Sequence, residues 1–422
     1  MPRQKSTHKA QSIKTKSLLS GIRVLEWTVY QQGPITGVML GDLGAEVIKI
    51  EQPRIGDPGR AVRAIRGKSL PKLAGDRNAF FETMNRNKKS ITVDMAKQNG
   101  KEVIYKLVTK SDIFITNLRK NVVGKSGMGY ETLCYHNPSL IYATGNGFGF
   151  EGHDADKPAF DPVAQARSGF MFSVGEPNMP PLIGPSGLAD QAGGSFLAYG
   201  ILAALLHRER TGEGQMVTSS LLSSMLWLQD LELSYTLLYG QEFQVPRVDR
   251  RKALNPLSNS YQCADGNWFH FCMLQSQRFW HDFCTALGIQ EIEEAPKFNS
   301  PEKRAEHREE LIAILDRVFA SKSRGQWTDI FDNYGDFNYS SVNTVADATK
   351  DPQIIANEYI TQLDHSTLGR INVVASPVSL SRTEVKPRSP APEFGQHTEE
   401  VLIEIGGYTW EDINRLREEE II

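Results

Sequence analysis

Residues 21–51, GIRVLEWTVYQQGPITGVMLGDLGAEVIKIE, carry the clearest fold signal in the chain. GIRVLEW (21–27) and AEVIKIE (45–51) are short, largely apolar runs that are typical of buried strands. Between them, PITGVMLGDLG (34–44) predicts a helix that begins at Pro34. Two strands joined by one helix form the repeating unit of a parallel sheet with helices on its faces.

The same alternation of helix and strand continues along the chain. KEVIYKLVTKS (101–111) predicts an amphipathic helix, and YETLCYHN (130–137) predicts a polar helical stretch. Further strands are predicted at DIFITN (112–117), LIYATGNG (140–147) and QMVTSS (215–220). The predicted fold class is therefore α/β.

Composition excludes several classes of function. The chain has 422 residues and a net charge of −3, so the whole molecule is not an electrostatic trap for nucleic acid. Its longest apolar run, residues 196–206, is too short to cross a bilayer. The four cysteines show no CxxC pair and no metal-ligand spacing, so we expect no metal site and no disulfide framework.

Nucleotide-binding loops are also missing. Glu51 ends a predicted strand at the position where dinucleotide folds often bind a ribose, but TVYQQGPITG (28–37) lacks the GxGxxG turn. GNGFGFEG (145–152) is rich in glycine and has no GxxxxGK[ST] pattern. These loops favour neither a hydride-transfer enzyme nor an NTPase.

The pattern predicts four segments. Residues 1–20 are basic and predict a disordered tail, with a weak organelle import signal as the alternative. The unpaired spacing of the cysteines favours a cytoplasmic protein. Residues 21–235 form the N-terminal part of a large domain, and residues 236–330 form a small domain with a hairpin turn at Asp265–Gly266. Residues 331–422 link back to the large domain.

One carboxylate stands out in SGLADQAGGS (186–195), just before an apolar helix. Asp190 is a good candidate for the helix N-cap, because Asp accepts hydrogen bonds from free backbone N–H groups. A cap does not explain Gly193 and Gly194, which weaken a helix and predict that something approaches the backbone closely.

Five segments together resemble the class III CoA-transferases, which include formyl-CoA:oxalate and carnitine CoA-transferases and the related α-methylacyl-CoA racemase. They are residues 21–60, NRNKKSITVDM (85–95), AFDPVAQARSGFM (159–171), residues 186–215, and GQHTEEVLIEIGGYTWEDI (395–413). The resemblance implies a Rossmann-like large domain with a parallel sheet built from both chain ends and a smaller α+β domain. It also implies an interlocked homodimer.

The resemblance implies a chemistry for Asp190 as well. In this family the aspartate attacks an acyl-CoA thioester and forms an aspartyl mixed anhydride, and then an aspartyl-CoA thioester. Gln31 matches the position whose amide stabilises the reacting oxygens. The expected partners are acyl-CoA and carboxylic acid substrates, with no nucleic acid and no membrane. We expect no metal and no tightly bound cofactor, because CoA enters as a thioester substrate.

The resemblance also implies contacts with coenzyme A at several further positions. These are Val93 and Asp94, then Asn117, Leu118 and Arg119, then Lys125, and finally Phe160 and Asp161. Lys125 stands where many relatives have Arg, and Gln52 stands where formyl-CoA transferase has a CoA-contacting Arg. At these two positions the charge geometry for phosphate binding is therefore changed.

The acyl side departs from formyl-CoA transferase. QEFQVPRVDRRKALNPLSNSY (241–261) has no glycine run, so the chain is more similar to transferases for 2-hydroxyacyl, enoyl or arylacrylyl groups. Its basic residues are candidates for binding a second carboxylate or a phosphate, or are simply a solvated face: Arg247, Arg250, Arg251 and Lys252.

Two other functions stay open. A racemase on this fold has a His immediately before the acid that matches Asp161, whereas this chain has Phe160, which cannot carry a proton. His153 lies nearby in a loop that we expect to be exposed. A non-catalytic acyl-CoA-binding protein would need neither Asp190 nor Gln31.

Overall fold

The computed structural model describes residues 17–334 and 336–422. Its strands are β1 Arg23–Trp27, β2 Glu46–Glu51, β3 Ala64–Ile65, β4 Lys68–Ser69, β5 Lys88–Thr92, β6 Ile113–Thr116, β7 Ile141–Asn146, β8 Met216–Ser220, β9 Ser260–Gln262, β10 Trp268–Phe271, β11 Tyr339–Val342, β12 Ile360–His365 and β13 Gly369–Val374. Within the described ranges, no helix is both long enough and apolar enough to cross a membrane.

The helices fill the connections between these strands. They are α1 Gln32–Asp42, α2 Ala79–Asn85, α3 Gln98–Val108, α4 Lys120–Lys125, α5 Tyr130–His136, α6 Asp161–Arg167, α7 Phe170–Ser173, α8 Leu188–Thr211, α9 Leu221–Leu228, α10 Asp230–Tyr239, α11 Ser276–Leu287, α12 Pro301–Glu306, α13 Arg308–Phe319, α14 Arg324–Tyr334, α15 Val345–Ala348, α16 Pro352–Ala356, α17 Thr398–Glu404 and α18 Trp410–Glu418. Short 3₁₀ turns lie at Pro58–Ala61, Ala74–Asp76, Arg250–Lys252 and Gln290–Ile292.

Six strands form one parallel sheet in the order β5-β2-β1-β6-β7-β8. Neighbouring side chains of β1 face opposite sides of this sheet, as the alternation of a strand requires. Leu25 packs in a core cluster with residues of α3, α5, α17 and α18, and Val24 packs in another cluster with residues of α8. The predicted α/β class and parallel sheet are confirmed.

The two ends of the chain contribute differently to this layer. Helices α17 and α18 place Leu402, Ile413 and Leu416 in the core cluster around Leu25. All strands of the parallel sheet nevertheless lie between residues 23 and 220, so the prediction of a sheet built from both ends is wrong. Residues 377–395 are rich in proline, which lacks the N–H group that a strand donates, and they contain no strand.

Two compact units divide the described residues. The first contains the described residues up to Phe170, together with Ile183–Leu233 and Glu358–Ile422. The second contains Met171–Leu182 and the described residues of Ser234–Asn357.

The second unit is built around the antiparallel sheet β9-β10-β11. Strands β9 and β10 form the predicted hairpin, and Gly266 takes a φ of +77° in its turn. Strand β11 pairs with β10, and Phe337 is buried in the core of this unit. Residues 336–357, which the sequence places in a linker, therefore belong to this unit.

The predicted basic tail, 1–20, falls mostly outside the described residues. Residues 17–20 are described, and they pack against the first unit rather than lying apart from it. Leu19 is buried, and its N–H donates to the carbonyl oxygen of Leu43 at 3.0 Å. The packed chain therefore starts at least a few residues before Gly21.

Candidate active site

A cavity of about 370 Å³ opens at the carboxyl ends of the parallel strands. In the strand order, β2 and β5 lie on one side of β1, and β6, β7 and β8 lie on the other. Open parallel sheets bind ligands at such a reversal, where the loops after two neighbouring strands diverge. Here those loops are Thr28–Gln31 after β1 and Asn117–Arg119 after β6, and they line the cavity except for Thr28.

Asp190 lines this cavity from the first turn of α8. It is not the helix N-cap, which corrects the prediction: the cap is Gly187, with a φ of +77°. The capping hydrogen bond comes from another element, because Asp161 Oδ1 accepts from the backbone N–H of Ala189 at 2.6 Å. The carboxylate of Asp190 therefore makes no cap and stays available to the cavity.

The surroundings of Asp190 favour its protonated form. Burial, and secondarily the negative charge of Asp161, raise the pKa of Asp190 from 3.8 to about 7. Loss of water around the carboxyl group disfavours its charged form, and this is the larger of the two causes.

Gln31 reaches the cavity from the turn that precedes α1. Its side chain is 8% exposed, and its Nε2 donates to the carbonyl oxygen of Gly187 at 3.5 Å. A Cβ at Gly187 would lie 2.1 Å from Gln31 Nε2, so only glycine allows this approach. The amide of Gln31 therefore lies against the N-terminus of the helix that carries Asp190.

Buried charges hold the turn that carries Gln31. Tyr30 has a φ of +60°, which is unusual for a bulky residue. Its N–H donates to Asp57 Oδ1 at 3.1 Å, and Asp57 in turn pairs with the fully buried Lys49 at 2.8 Å. Asn117 donates to and accepts from the backbone of Val29. This network fixes a strained turn at the site.

Gly193 and Gly194 are buried and do not line the cavity. A Cβ at Gly194 would lie 2.5 Å from the carbonyl oxygen of Gln32, and one at Gly193 would lie 2.8 Å from Gln32 Nε2. The predicted close approach to these glycines is confirmed, and the group that approaches is helix α1. This contact brings the Gln31 turn close to α8.

The structure brings together part of the predicted site. Gln31, Asn117, Leu118, Arg119, Phe160 and Asp190 all line the one cavity. Arg119 is exposed and has no side-chain partner among the described residues, which leaves its guanidinium free for an anion. Asn117 lines the wall, but both ends of its amide are bound to Val29.

Other predicted positions lie elsewhere. The side chain of Val93 is fully buried in the core, which excludes it from contact with a nucleotide, and Asp94 is only partly exposed beside it. Lys125 is exposed on α4 outside the cavity lining. Asp161 is buried behind Asp190, where it caps α8 and binds Gln165. Asp161 does not line the cavity, and its charge contributes to the raised pKa of Asp190.

Several basic and acidic candidates are already engaged. Glu51 pairs with Arg60 at 2.7 Å and accepts from Ser90, so it is not available to a ribose. In the second unit, Arg247 donates to carbonyl oxygens of Met171 and Phe172, and Arg250 pairs with Asp316. Arg251 and Lys252 are exposed. Among described residues, no group of three or more His, Cys, Asp or Glu could hold a metal ion.

Sequence reasoning missed five charged or amide residues of the cavity wall: Gln32, Lys120, Asn146, Asp156 and Lys157. Gln32 and Lys120 are direct neighbours of the predicted Gln31 and Arg119, so adjacency in the chain was an available signal. Asn146 ends β7, at the sheet edge where the other site loops begin. No pattern in the sequence brings Lys157 to this wall.

Comparison with known proteins identifies the class of enzyme that this fold and cavity define. The family model described as CoA-transferase family III matches residues 19–398. The chain therefore belongs to CoA-transferase family III, and it is an enzyme of that class.

The similar proteins cover nearly the whole chain. The chain is 32% identical over 406 residues to (R)-2-hydroxy-4-methylpentanoate CoA-transferase of Clostridioides difficile, covering 96% of this chain and 99% of that protein. It is 31% identical over 409 residues to cinnamoyl-CoA:phenyllactate CoA-transferase of Clostridium sporogenes, covering 96% and 97%. A CAIB/BAIF family protein from Brucella suis superposes with a TM-score of 0.81 and 28% identity, covering 93% and 100%.

Proposed function

We propose that the enzyme moves CoA from an acyl-CoA donor to a free carboxylic acid through covalent intermediates on Asp190. The proposal rests on the cavity that Asp190 shares with Gln31 and with Arg119, whose guanidinium has no side-chain partner in the described part of the chain. A pKa of about 7 leaves much of Asp190 ionised at neutral pH while its basicity, and so its nucleophilicity, is higher than that of an ordinary aspartate.

The proposed steps exchange one acyl or thiol group at a time. Asp190 attacks the thioester carbonyl, and CoA thiolate leaves to give a mixed anhydride. The thiolate then attacks the aspartyl carbonyl, which releases the donor acid and forms an aspartyl-CoA thioester. The acceptor carboxylate repeats these steps in reverse and leaves as acyl-CoA. Gln31 donates its amide N–H to the oxygen that gains charge at each addition.

Arg119 and Lys120 are proposed to bind the phosphates of CoA. Both are exposed at the cavity wall, and neither has a side-chain partner among the described residues. Free guanidinium and ammonium groups are the usual protein ligands of phosphate. The acyl group is proposed to be a 2-hydroxyacyl, enoyl or arylacrylyl group, a choice supported by the names of two of the similar enzymes.

The cavity favours transfer over racemisation. Proton exchange at the α-carbon on two faces needs two titratable groups, and Phe160 supplies none. His153 is 91% exposed and paired with Asp154 at 2.8 Å, as expected for a loop residue outside the site. Asp156, a second carboxylate that lines the cavity, is exposed to solvent. Asp161 already accepts hydrogen bonds from the Ala189 N–H and from Gln165.

The proposal is tested by a mass-spectrometric screen of CoA transfer between acyl-CoAs and free acids in deuterated water. We expect new acyl-CoA to appear without deuterium at the α-carbon. Fast α-exchange with no transfer to any acid would instead establish a racemase. Binding of acyl-CoA with neither reaction would establish a binding protein.

A homodimer is proposed as the working assembly. Helices α9 and α10 expose large apolar side chains in the single chain, including Trp227 at 68%, Leu237 at 73% and Leu238 at 80%. Apolar surface of this extent on consecutive helices is typical of a protein interface. The family resemblance makes a second copy of this chain, interlocked with the first, the partner that covers it.

A further inference from the structure

Gln32 is a second glutamine at the cavity, and its amide occupies a space that two glycines create. It is the first residue of α1 and is 4% exposed. A Cβ at Gly145, near the end of β7, would lie 2.7 Å from Gln32 Oε1. A Cβ at Gly193, on α8, would lie 2.8 Å from Gln32 Nε2. Both neighbouring elements therefore lack side chains where this amide lies.

The Gln32 side chain is almost fully buried, and one end of its amide is unpaired. The Nε2 atom has no hydrogen-bond partner among the described residues, and neither does the buried Nδ2 of Asn146. The Oδ1 of Asn146 is used, because it accepts from the N–H of Gly149 at 2.6 Å. A buried donor without an acceptor is unfavourable, so such a group at a cavity wall points to a bound ligand that completes it.

The position of Gln32 relative to Asp190 limits which part of a ligand it meets. Gly193 follows Asp190 by three residues on α8, so both lie on one face of that helix, roughly 5 Å apart along it. Gln32, Asn146 and Asp190 line the same cavity. Because the three residues share this cavity, a small acyl group bonded to Asp190 would lie in the same enclosure as the Gln32 and Asn146 side chains.

We propose that Gln32 determines specificity by binding a hydroxyl group on C2 of the transferred acyl group, with Asn146 Nδ2 as a second donor. This inference rests on the proposed transferase function. A hydroxyl group both donates and accepts, so it matches either edge of the Gln32 amide. An acid without the hydroxyl leaves the amide unpaired and is disfavoured for that reason.

Paired acceptor acids test the inference. We would measure kcat/KM for 4-methylpentanoate and 3-phenylpropanoate, each with and without a 2-hydroxyl group. The wild-type enzyme is expected to prefer the hydroxylated acid of at least one pair by tenfold or more. Gln32→Leu removes the hydrogen bonds at similar volume and is expected to reduce that ratio at least fivefold, with a smaller reduction in Asn146→Ala.

Control variants keep the outcome clear. Gln98→Leu removes an exposed amide on α3 and is expected to leave the ratio as in the wild type. Gln32→Met replaces Gln32→Leu if the latter does not fold. A wild-type ratio near one in both pairs, or a ratio that survives in the folded Gln32 variant, overturns this inference while transfer itself stands. Absence of transfer to every acid overturns the proposed function and this inference with it.

Discussion

Asp190 illustrates how the surroundings of one carboxyl group set its chemistry. A solvent-exposed aspartate ionises near pH 4 and is a weak nucleophile. Here burial and the charge of Asp161 raise its pKa to about 7, while Asp161 takes over the capping of α8. Asp161 therefore supplies both the cap of α8 and part of the rise in the pKa of Asp190.

The pH dependence of transfer follows from this shift. Because only ionised Asp190 attacks the thioester, kcat/KM is expected to rise with pH along a limb of apparent pKa about 7. Asp161→Asn removes the neighbouring charge but keeps an oxygen for the Ala189 N–H, so the limb should move to lower pH. The apparent pKa should still stay above the usual range for an aspartate, because burial raises the pKa of Asp190 more than the charge of Asp161 does.

A control separates Asp190 from the exposed histidine. His153→Gln is expected to leave the limb in place, because His153 lies outside the cavity lining. A profile that is flat between pH 5 and 9, or a limb that moves in His153→Gln and not in Asp161→Asn, would contradict the assignment.

The raised pKa of Asp190 should also make the stability of the protein depend on pH. The raised pKa means that the folded state holds the Asp190 proton more tightly than the unfolded chain, so stability falls as pH rises from about 4 to 7. Asp190→Asn has no such charge. The free energy of unfolding of Asp190→Asn minus that of the wild type should therefore increase between about pH 4 and 7. The increase is at most roughly 1.4 kcal/mol per pH unit.

Denaturant unfolding at pH 5, 6 and 7 measures this difference. Asp154→Asn is the matched control, because Lys157, His153 and Arg167 hold the pKa of Asp154 well below its usual range. Ionised Asp154 favours the folded state, so its replacement should destabilise the protein. An Asp190→Asn difference that stays constant with pH would contradict the raised pKa.

At the scale of elements, the close contact of α1 with α8 brings Gln31 and Asp190 together. Sequence periodicity predicts β1, α1 and β2, since these depend on neighbouring residues. It cannot predict that Asp161 caps a helix 28 residues further on, or that Gly194 faces α1. Both depend on contacts between distant segments, and so does the burial that shifts the pKa of Asp190.

Gly194→Ala tests the helix contact. The added methyl group would lie 2.5 Å from the carbonyl oxygen of Gln32 and 3.0 Å from Ile35 Cγ2, so α1 and α8 must separate. We expect a loss of about 1–3 kcal/mol in the free energy of unfolding, despite the better helix propensity of Ala. Transfer activity should fall as well, because Gln31 moves away from Asp190.

Gly325→Ala is the control for helix propensity. Gly325 lies in α14 of the second unit and has no atom within 4 Å of its added Cβ. This change should leave stability equal or slightly higher. If Gly194→Ala behaved in the same way in urea unfolding, close packing at Gly194 would not be what joins the two helices.

For the whole molecule, the exposed apolar side chains of α9 and α10 support the proposed homodimer. An interlocked dimer would bury them and could separate only after partial unfolding. We therefore expect sedimentation velocity to show a dimer from micromolar to nanomolar concentration. Reversible dissociation to folded monomers on dilution would contradict interlocking, and a monomer at all concentrations would contradict the dimer itself.

Covalent acylation of Asp190 during transfer can be tested by trapping the intermediate. The enzyme is incubated with a donor acyl-CoA and hydroxylamine, digested, and its peptides are weighed by mass spectrometry. Attack on the aspartyl anhydride or thioester should convert Asp190 to a hydroxamate, with matching loss of activity and no modification without acyl-CoA. Full transfer activity with an unmodified Asp190 peptide, or activity that survives in Asp190→Ala, would contradict the account.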